Sequence, residues 1–260
     1  LEGFKERFGV RPECHATVTA TGVLIRTHAI DPKMVQPAVA KITKEVLKIR
    51  GQLDSIENYA RFYMHLIMDR TVAIYLDADT IVQADLAQLR KELIKSGKTI
   101  GFVNRPKGHG FVGMDRFIST KNTCKLPGVT KWSSLRKMTA YNAGVYAVDL
   151  KRWADKGVAK RVEDLVARHN QCGGKLWTGG SQPPLLLAFF VHPEQQEQDY
   201  TVFDPSWNSA DLGWRDNMQE KTLRTQYILH WNGGSKPWQE GGLYGELWRP
   251  HREAFPKLCR

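Results

Sequence analysis

Three things are scarce in this sequence, and each absence narrows what it encodes. Its four cysteines, Cys14, Cys124, Cys172 and Cys259, are widely spaced and form no C-x-x-C pair. They permit three disulfide connectivities in an oxidising compartment and read equally as buried or free thiols elsewhere. Long apolar runs are missing too. The longest, Leu185 to Val191, falls far short of the roughly 20 residues a helix needs to cross a bilayer, so no membrane contact is expected within this chain. Repeats and low-complexity tracts are lacking, and the 22 Gly and 12 Pro are scattered, which excludes collagen-like and linker-like material. The first residue is Leu1, and no charged then apolar leader precedes the first polar segment. An upstream leader or anchor outside this sequence is therefore expected.

What is there is globular composition with a basic excess: 260 residues, 42% hydrophobic, with 38 Lys plus Arg against 27 Asp plus Glu, a net charge of +11. That charge would suit a nucleic acid or an acidic glycan. The cations are dispersed, apart from small clusters such as Lys151-Arg152 and Arg249 to Arg252, so nucleic acid is not expected as a partner. Since α/β enzymes commonly reach about 250 residues as one unit, a single domain over residues 1–260 is expected.

Strand and helix patterns alternate along the chain. Asp31-Pro32 starts a helix whose apolar positions recur at helical spacing from Met34 to Ile49. Asp54 and Glu57 resemble a capping box ahead of a stripe made by Tyr59, Phe62, Tyr63, Leu66 and Ile67. Thr71 to Leu76 is a continuous apolar run of strand length, which predicts a strand buried on both faces in a parallel sheet. Further strands are expected at Leu24 to Ile30, Thr99 to Val103, Asn142 to Val148 and Gln226 to Leu229. Helices are expected from Asp85 to about Lys95 and from Ala159 to His169, with a loop over Lys107 to Lys131. The class is mixed α/β.

Two segments concentrate chemistry. At the end of the Thr71 to Leu76 strand stand Asp77-Ala78-Asp79, two carboxylates on one face with the small Ala78 between them. They suit a hard cation at a sheet edge, the usual place for ligands in α/β folds; an Asx turn closing the strand is the plainer reading. The second is His230-Trp231-Asn232-Gly233-Gly234-Ser235-Lys236-Pro237-Trp238. It offers an imidazole for a metal, glycines that let backbone N–H groups approach phosphate, and a lysine to offset phosphate charge. Its plainer reading is a Gly-rich surface turn.

Together, D-x-D after an apolar strand and H-x-x-G-x-x-K-P-W resemble retaining glycosyltransferase family eight. Asn58 to Tyr63 and Tyr141 to Val145 resemble the same family's internal motifs. Ser181 to Leu186, Asp204 to Asn208 and Leu229 to Gly233 are most similar to the animal glycosyltransferase-8-domain-containing and plant galacturonosyltransferase-like members. The resemblance runs from about Ile56 to Trp238. It implies a GT-A fold, a Rossmann-like mixed sheet flanked by helices, a UDP-sugar donor, a glycan or protein acceptor, and Mn²⁺ on Asp77, Asp79 and His230. It further implies that Lys236 and the Gly233 backbone hold the diphosphate. Arg61, Ala78, Asn142, Ala143, Gly144 and Gln182 would line the donor site, with Gln182 and Asn142 catalytic. A Golgi or secretory-pathway lumen is implied by the same resemblance.

Two departures from the family pattern stand out. The family's Asp-Gln pair at the sugar pocket is Ser181-Gln182 here, which keeps the amide and loses the acid. The family's first strand and uridine loop have little room in a chain with about two dozen residues before Leu24, so this part is expected to be missing. Asp77-Ala78-Asp79-Thr80 also resembles the start of haloacid-dehalogenase-type phosphatases, with Asp77 as nucleophile; Ile81 and the lack of a later G-D-x-x-x-D run against that. A non-catalytic descendant that binds glycans or partners is a third reading. His65, His109 and His169 read as structural or solvated. Trp207, Trp214 and Trp248 belong either to an acceptor groove or to the core.

Overall fold

The structure is a computed structural model and describes residues 16–18, 24–26, 56–105, 112–119, 126, 129, 132–191 and 198–258, apart from positions 69 and 179. The helix expected over Met34 to Ile49, the Asp54 cap and His109 lie outside these residues. Strands β1 (Ala16–Val18) and β2 (Leu24–Arg26) pair as an antiparallel ribbon. Helix α1 (Ile56–Ala60) passes through a 3₁₀ turn (Arg61–Tyr63) into α2 (Met64–Ile67). Tyr59, Phe62 and Tyr63 are buried as their spacing predicted, but Leu66 is 60% exposed. The tighter turn explains this: three residues at 3.0 rather than 3.6 per turn rotate the faces of α2 by about 60°.

The central sheet comprises β3 (Val72–Leu76), β6 (Val145–Asp149), β5 (Ile100–Val103) and β7 (Tyr200–Phe203), in that spatial order. Strand β6 runs antiparallel to both β3 and β5, and β5 is parallel to β7. The expectation of a parallel partner for β3 is therefore corrected. Its continuous apolar run did signal two covered faces: Ala73 and Tyr75 join one core cluster, while Val72, Ile74 and Leu76 pack on the other. Apolarity reports covered faces and carries no information about strand direction.

On the first face lie α4 (Trp132–Arg136), α5 (Leu150–Asp155), α6 (Val158–Gln171) and α7 (Gln182–Phe190), whose Leu135, Trp153, Val162, Val166 and Leu185 join one core with Phe102 and Tyr146. Helix α7 is buried all round from Pro183 to Phe189. Its paired prolines fall in the first turn, where a missing N–H costs nothing, so the helix starts sharply at Gln182. On the second face, α3 (Ala87–Ser96) buries Leu89 and Leu93 against Val145, Phe203 and Trp207. Asp85 accepts the Ala87 N–H at 2.9 Å, and Gly97 closes the helix at φ 65°. A two-stranded ribbon of β4 (Thr80–Val82) and β8 (Ile228–His230) forms a third cluster with Leu212, Leu223 of α8 (Glu220–Leu223), Leu247 of α9 (Gly245–Leu258), and Trp231. The registers bring the C-terminal ends of β3, β5 and β7 and the start of β6 to one sheet edge.

Candidate active site

At that edge the Asp77 N–H donates to Gly144 O at 2.8 Å, continuing the β3–β6 ladder by one rung. The strand expected from Asn142 starts only at Val145, because residues 142–144 form the turn that rests on the β3 end. Pairing of Thr80 with His230 in the β4–β8 ribbon then carries the imidazole to the two carboxylates. One ligand atom from each of Asp77, Asp79 and His230 lies within 4.8 Å of the others.

Each carboxylate has one oxygen engaged and one facing the imidazole. Asp77 Oδ1 accepts from the Tyr75 hydroxyl at 2.9 Å and from Arg61 Nη2 at 3.2 Å, while Oδ2 stands 3.8 Å from His230 Nε2. Asp79 Oδ2 accepts from Lys236 Nζ at 2.5 Å, and its Oδ1 is 3.2 Å from the same Nε2. Burial pulls the Asp79 carboxyl up; Lys236 and His230 outweigh it and hold the group below the usual carboxylate range.

His230 Nε2 is buried without a hydrogen bond. Its tautomer is set by a chain of amides that ends on the backbone. Gly144 N–H donates to Asn142 Oδ1 at 2.9 Å, so that atom is an oxygen. Asn208 must then present Nδ2 to it, at 3.1 Å, and Oδ1 to His230 Nδ1, at 2.9 Å. Nδ1 thus carries a proton donated to Asn208, which leaves Nε2 as the nitrogen that faces the two carboxylate oxygens and is open to a metal. Two carboxylate oxygens around that buried nitrogen make a place for a cation, which a bound metal would fill. The donor set, two carboxylates and one imidazole, fits a borderline-hard divalent ion. Gly144 is needed here for close approach: a Cβ on it would meet His230 Cε1 at 2.2 Å and Asp77 Oδ2 at 2.6 Å.

Arg61 organises the inner wall. Buried under Tyr75, whose ring centroid is 4.4 Å away, it donates to Ala143 O at 2.8 Å and to Asn58 O at 2.9 Å. Burial lowers its pKa, but Tyr75, Asp77 and Tyr146 together raise it above the ordinary value, so it remains a fixed cation. Burial, with Asp77 nearby, raises the Tyr75 phenol, so it stays a neutral donor. Gln182 Oε1 accepts the Ala143 N–H at 3.0 Å. Arg61, Asp77, Asn142, Ala143, Gly144 and Gln182 thereby share one wall of a cavity of about 580 Å³. Ala78 is exposed at the turn. Gly233, at φ 126°, packs on Gly213 with no room for a side chain, and Lys236 reaches back to Trp231 O at 2.7 Å. None of Ala78, Gly233 and Lys236 lines the cavity.

Sequence reasoning missed Asn208 and Asn232 as individuals, although both lie inside the family-like motifs; their signal was the motif itself. It also missed Arg105, Arg116, Asp211 and Arg215, which line the same cavity. No local pattern marks them. Of the three tryptophans, Trp207 is core, Trp214 is 71% exposed on the cavity, and Trp248 packs on Trp238 with ring centroids 5.9 Å apart. His169 is buried against Trp177, and Cys172 is disulfide-bonded.

A mixed sheet with D-x-D at its edge and a histidine returned by a later ribbon is the arrangement of a GT-A fold. The chain belongs to glycosyl transferase family 8, whose family model matches residues 26–242. Among its relatives, glycosyltransferase 8 domain-containing protein 1 of Danio rerio is 27% identical over 203 residues, covering 73% of this chain and 54% of the relative. Glycosyltransferase 8 domain-containing protein 2 of Homo sapiens is 25% identical over 203 residues, covering 74% and 56%. The chain thus spans about half the length of the curated relatives it matches. In fold it is similar to the galactosyltransferase LgtC in complex with donor and acceptor sugar analogs, at TM-score 0.55 and 17% identity, over 92% of this chain and 76% of that one. An active-site mutant of LgtC gives TM-score 0.56 at 16% identity, over 90% and 76%.

Proposed function

We propose that this chain transfers a sugar from a UDP-linked donor to a glycan or protein acceptor with retention at the anomeric carbon, using Mn²⁺ held by Asp77, Asp79 and His230. The observation that carries the reading is the trio of facing ligand atoms, among them a buried His230 Nε2 that makes no hydrogen bond. A divalent ion there supplies Lewis-acid stabilisation of diphosphate oxygens. Lys236 adds a cation beside Asp79 for charge that develops on departing UDP, and the Gly233 turn brings backbone close to the same end. On the cavity side, Arg61 and Gln182 hold the Ala143 backbone from opposite directions, fixing Asn142 to Gly144 as a preorganised wall for the sugar.

Retention comes from the family. It is best served here by a front-face route needing only positioning and charge stabilisation, with Gln182 and Asn142 nearest the sugar. Of the two carboxylates on the cavity, Asp77 is tied to Arg61 and Tyr75, and Asp211 accepts from Asn232 Nδ2 at 3.1 Å. Neither is a free nucleophile. The same ties oppose Asp77 as a phosphatase nucleophile, and family membership removes that reading. The disulfide at Cys172 supports an oxidising, secretory-pathway lumen such as the Golgi. Among the described residues no helix is long and apolar enough to cross a membrane.

The test is UDP release from a panel of UDP-sugars, with Mn²⁺ and with excess chelator. Release from at least one donor, abolished by chelator and by Asp79→Asn or Gly144→Ala, is the expected result. Folded protein that binds Mn²⁺ yet neither binds UDP nor releases it would favour the non-catalytic descendant.

A further inference from the structure

Tyr75, the last residue but one of β3, does not line the cavity. Its hydroxyl instead donates to Asp77 Oδ1 at 2.9 Å, and Arg61 Nη2 donates to the same oxygen at 3.2 Å. Residues two apart along a strand share a face, so the end of β3 itself brings the phenol to the carboxylate. With two donors on Oδ1, Oδ2 is the oxygen left to face His230 Nε2, 3.8 Å away. Asp79 is divided in the same way, with Oδ2 on Lys236 Nζ and Oδ1 3.2 Å from that nitrogen. The trio therefore presents three single atoms rather than a ring and two chelating carboxylates.

The phenol is fixed by its surroundings. Its ring stacks on that of its cross-strand partner Tyr146, with centroids 4.8 Å apart and 7° between the planes. The Arg61 guanidinium lies 4.4 Å from the same centroid and is itself held by Ala143 O and Asn58 O. A ring packed in this way has little freedom to turn, so its hydroxyl stays on Asp77 Oδ1. Tyr146 supplies an internal comparison, because its hydroxyl is fully buried yet makes no hydrogen bond.

Resting on the reading of Asp77, Asp79 and His230 as a metal site, we propose that Tyr75 is a positioning residue that, with Arg61, restricts Asp77 to one ligating oxygen and so biases the site toward Mn²⁺ over Ca²⁺. Calcium takes about six to eight oxygen ligands and readily accepts both oxygens of a carboxylate, whereas a smaller divalent ion is served by fewer ligands. Withholding Oδ1 removes an oxygen that Ca²⁺ would use. The bias acts through the orientation of Asp77, so the hydroxyl itself need not touch the ion.

Calorimetric titrations with Mn²⁺ and with Ca²⁺ compare wild type with Tyr75→Phe, which keeps the ring and loses the hydroxyl, and with Tyr146→Phe as a control. Tyr75→Phe should bind Mn²⁺ about tenfold more weakly, as loss of an outer partner to a ligand does, while its Ca²⁺ affinity holds or rises. The preference for Mn²⁺ over Ca²⁺ should thus fall about tenfold or more. Tyr146→Phe should leave both affinities as in wild type, because the hydroxyl it removes has no partner. A merely structural role for Tyr75 would lower both affinities alike, or only the Tm. Equal changes for the two ions, no change for either, or the same shift of preference in Tyr146→Phe overturns the proposal. Melts without metal check folding; should Tyr75→Phe not fold, Tyr75→Met, unbranched and able to fill the space, decides by the same ratio. The wild-type titration keeps the two readings apart. Binding of Mn²⁺ by wild type with an unaltered preference in Tyr75→Phe refutes the role of Tyr75 alone, and binding of neither ion by wild type refutes the metal site with it.

Discussion

Replacing Asn208 with Ala tests the chain of amides that orients His230. The side chain is 2% exposed and makes two hydrogen bonds, accepting from His230 Nδ1 and donating to Asn142 Oδ1. Without it, the imidazole proton is free to move to Nε2, where Asp79 Oδ1 at 3.2 Å is ready to accept it. The ligand lone pair would then be consumed by the carboxylate it should share with a metal. Loss of such an outer partner typically costs about 10- to 100-fold in metal affinity, or roughly 1.4–2.7 kcal/mol. Two lost buried hydrogen bonds also cost about 1–3 kcal/mol of stability. Calorimetric titration of Mn²⁺ and thermal melts without metal separate these effects. Asn208→Asp sharpens the comparison. Its carboxylate still accepts from Nδ1–H but meets Asn142 Oδ1 with another acceptor, so it should lose stability while keeping Mn²⁺ affinity within a few-fold of wild type. Unchanged Mn²⁺ affinity in Asn208→Ala would refute the reasoning, as would equal losses of affinity in both variants.

Lys236→Ala removes the cation on Asp79 Oδ2, so UDP affinity with Mn²⁺ should fall about tenfold to hundredfold. Melting without nucleotide should change little; equal UDP affinity, or a large drop in Tm, would make Lys236 structural. His169 supplies a pH test: burial, with neither ring nitrogen partnered, pushes it from 6.5 down to about 4. Between those values the unfolded chain binds the proton and the folded one does not. This contribution to stability is therefore complete above about pH 6.5 and is lost as pH falls toward 4, by up to roughly 3 kcal/mol. His169→Phe, stacked on Trp177 in place of the imidazole, should flatten the melting profile over that window; an unchanged slope would show that other groups dominate acid sensitivity.

Much of the site was legible because it is local. A strand that ends in D-x-D, and a turn that needs glycine beside a lysine, are patterns within a few residues, set by side-chain period and backbone freedom. The buried faces of β3, the Asp85 start of α3 and the apolar stripes of α1 and α6 were readable for the same reason. Tertiary structure decided everything that joins distant segments. The antiparallel direction of β6 against β3 is a property of the pairing of distant segments, which an apolar run does not encode. The β4–β8 register delivered His230 to Asp79, and the Asn208 to Asn142 contact fixed its tautomer. The further arginines lining the cavity have no signature at all, since a scattered basic residue in sequence looks like any solvated surface charge. Only the meeting of Arg105 after β5, Arg116 in its 3₁₀ turn and Arg215 beyond the Asp211 turn makes them a group, because electrostatic fields add in space and not along the chain.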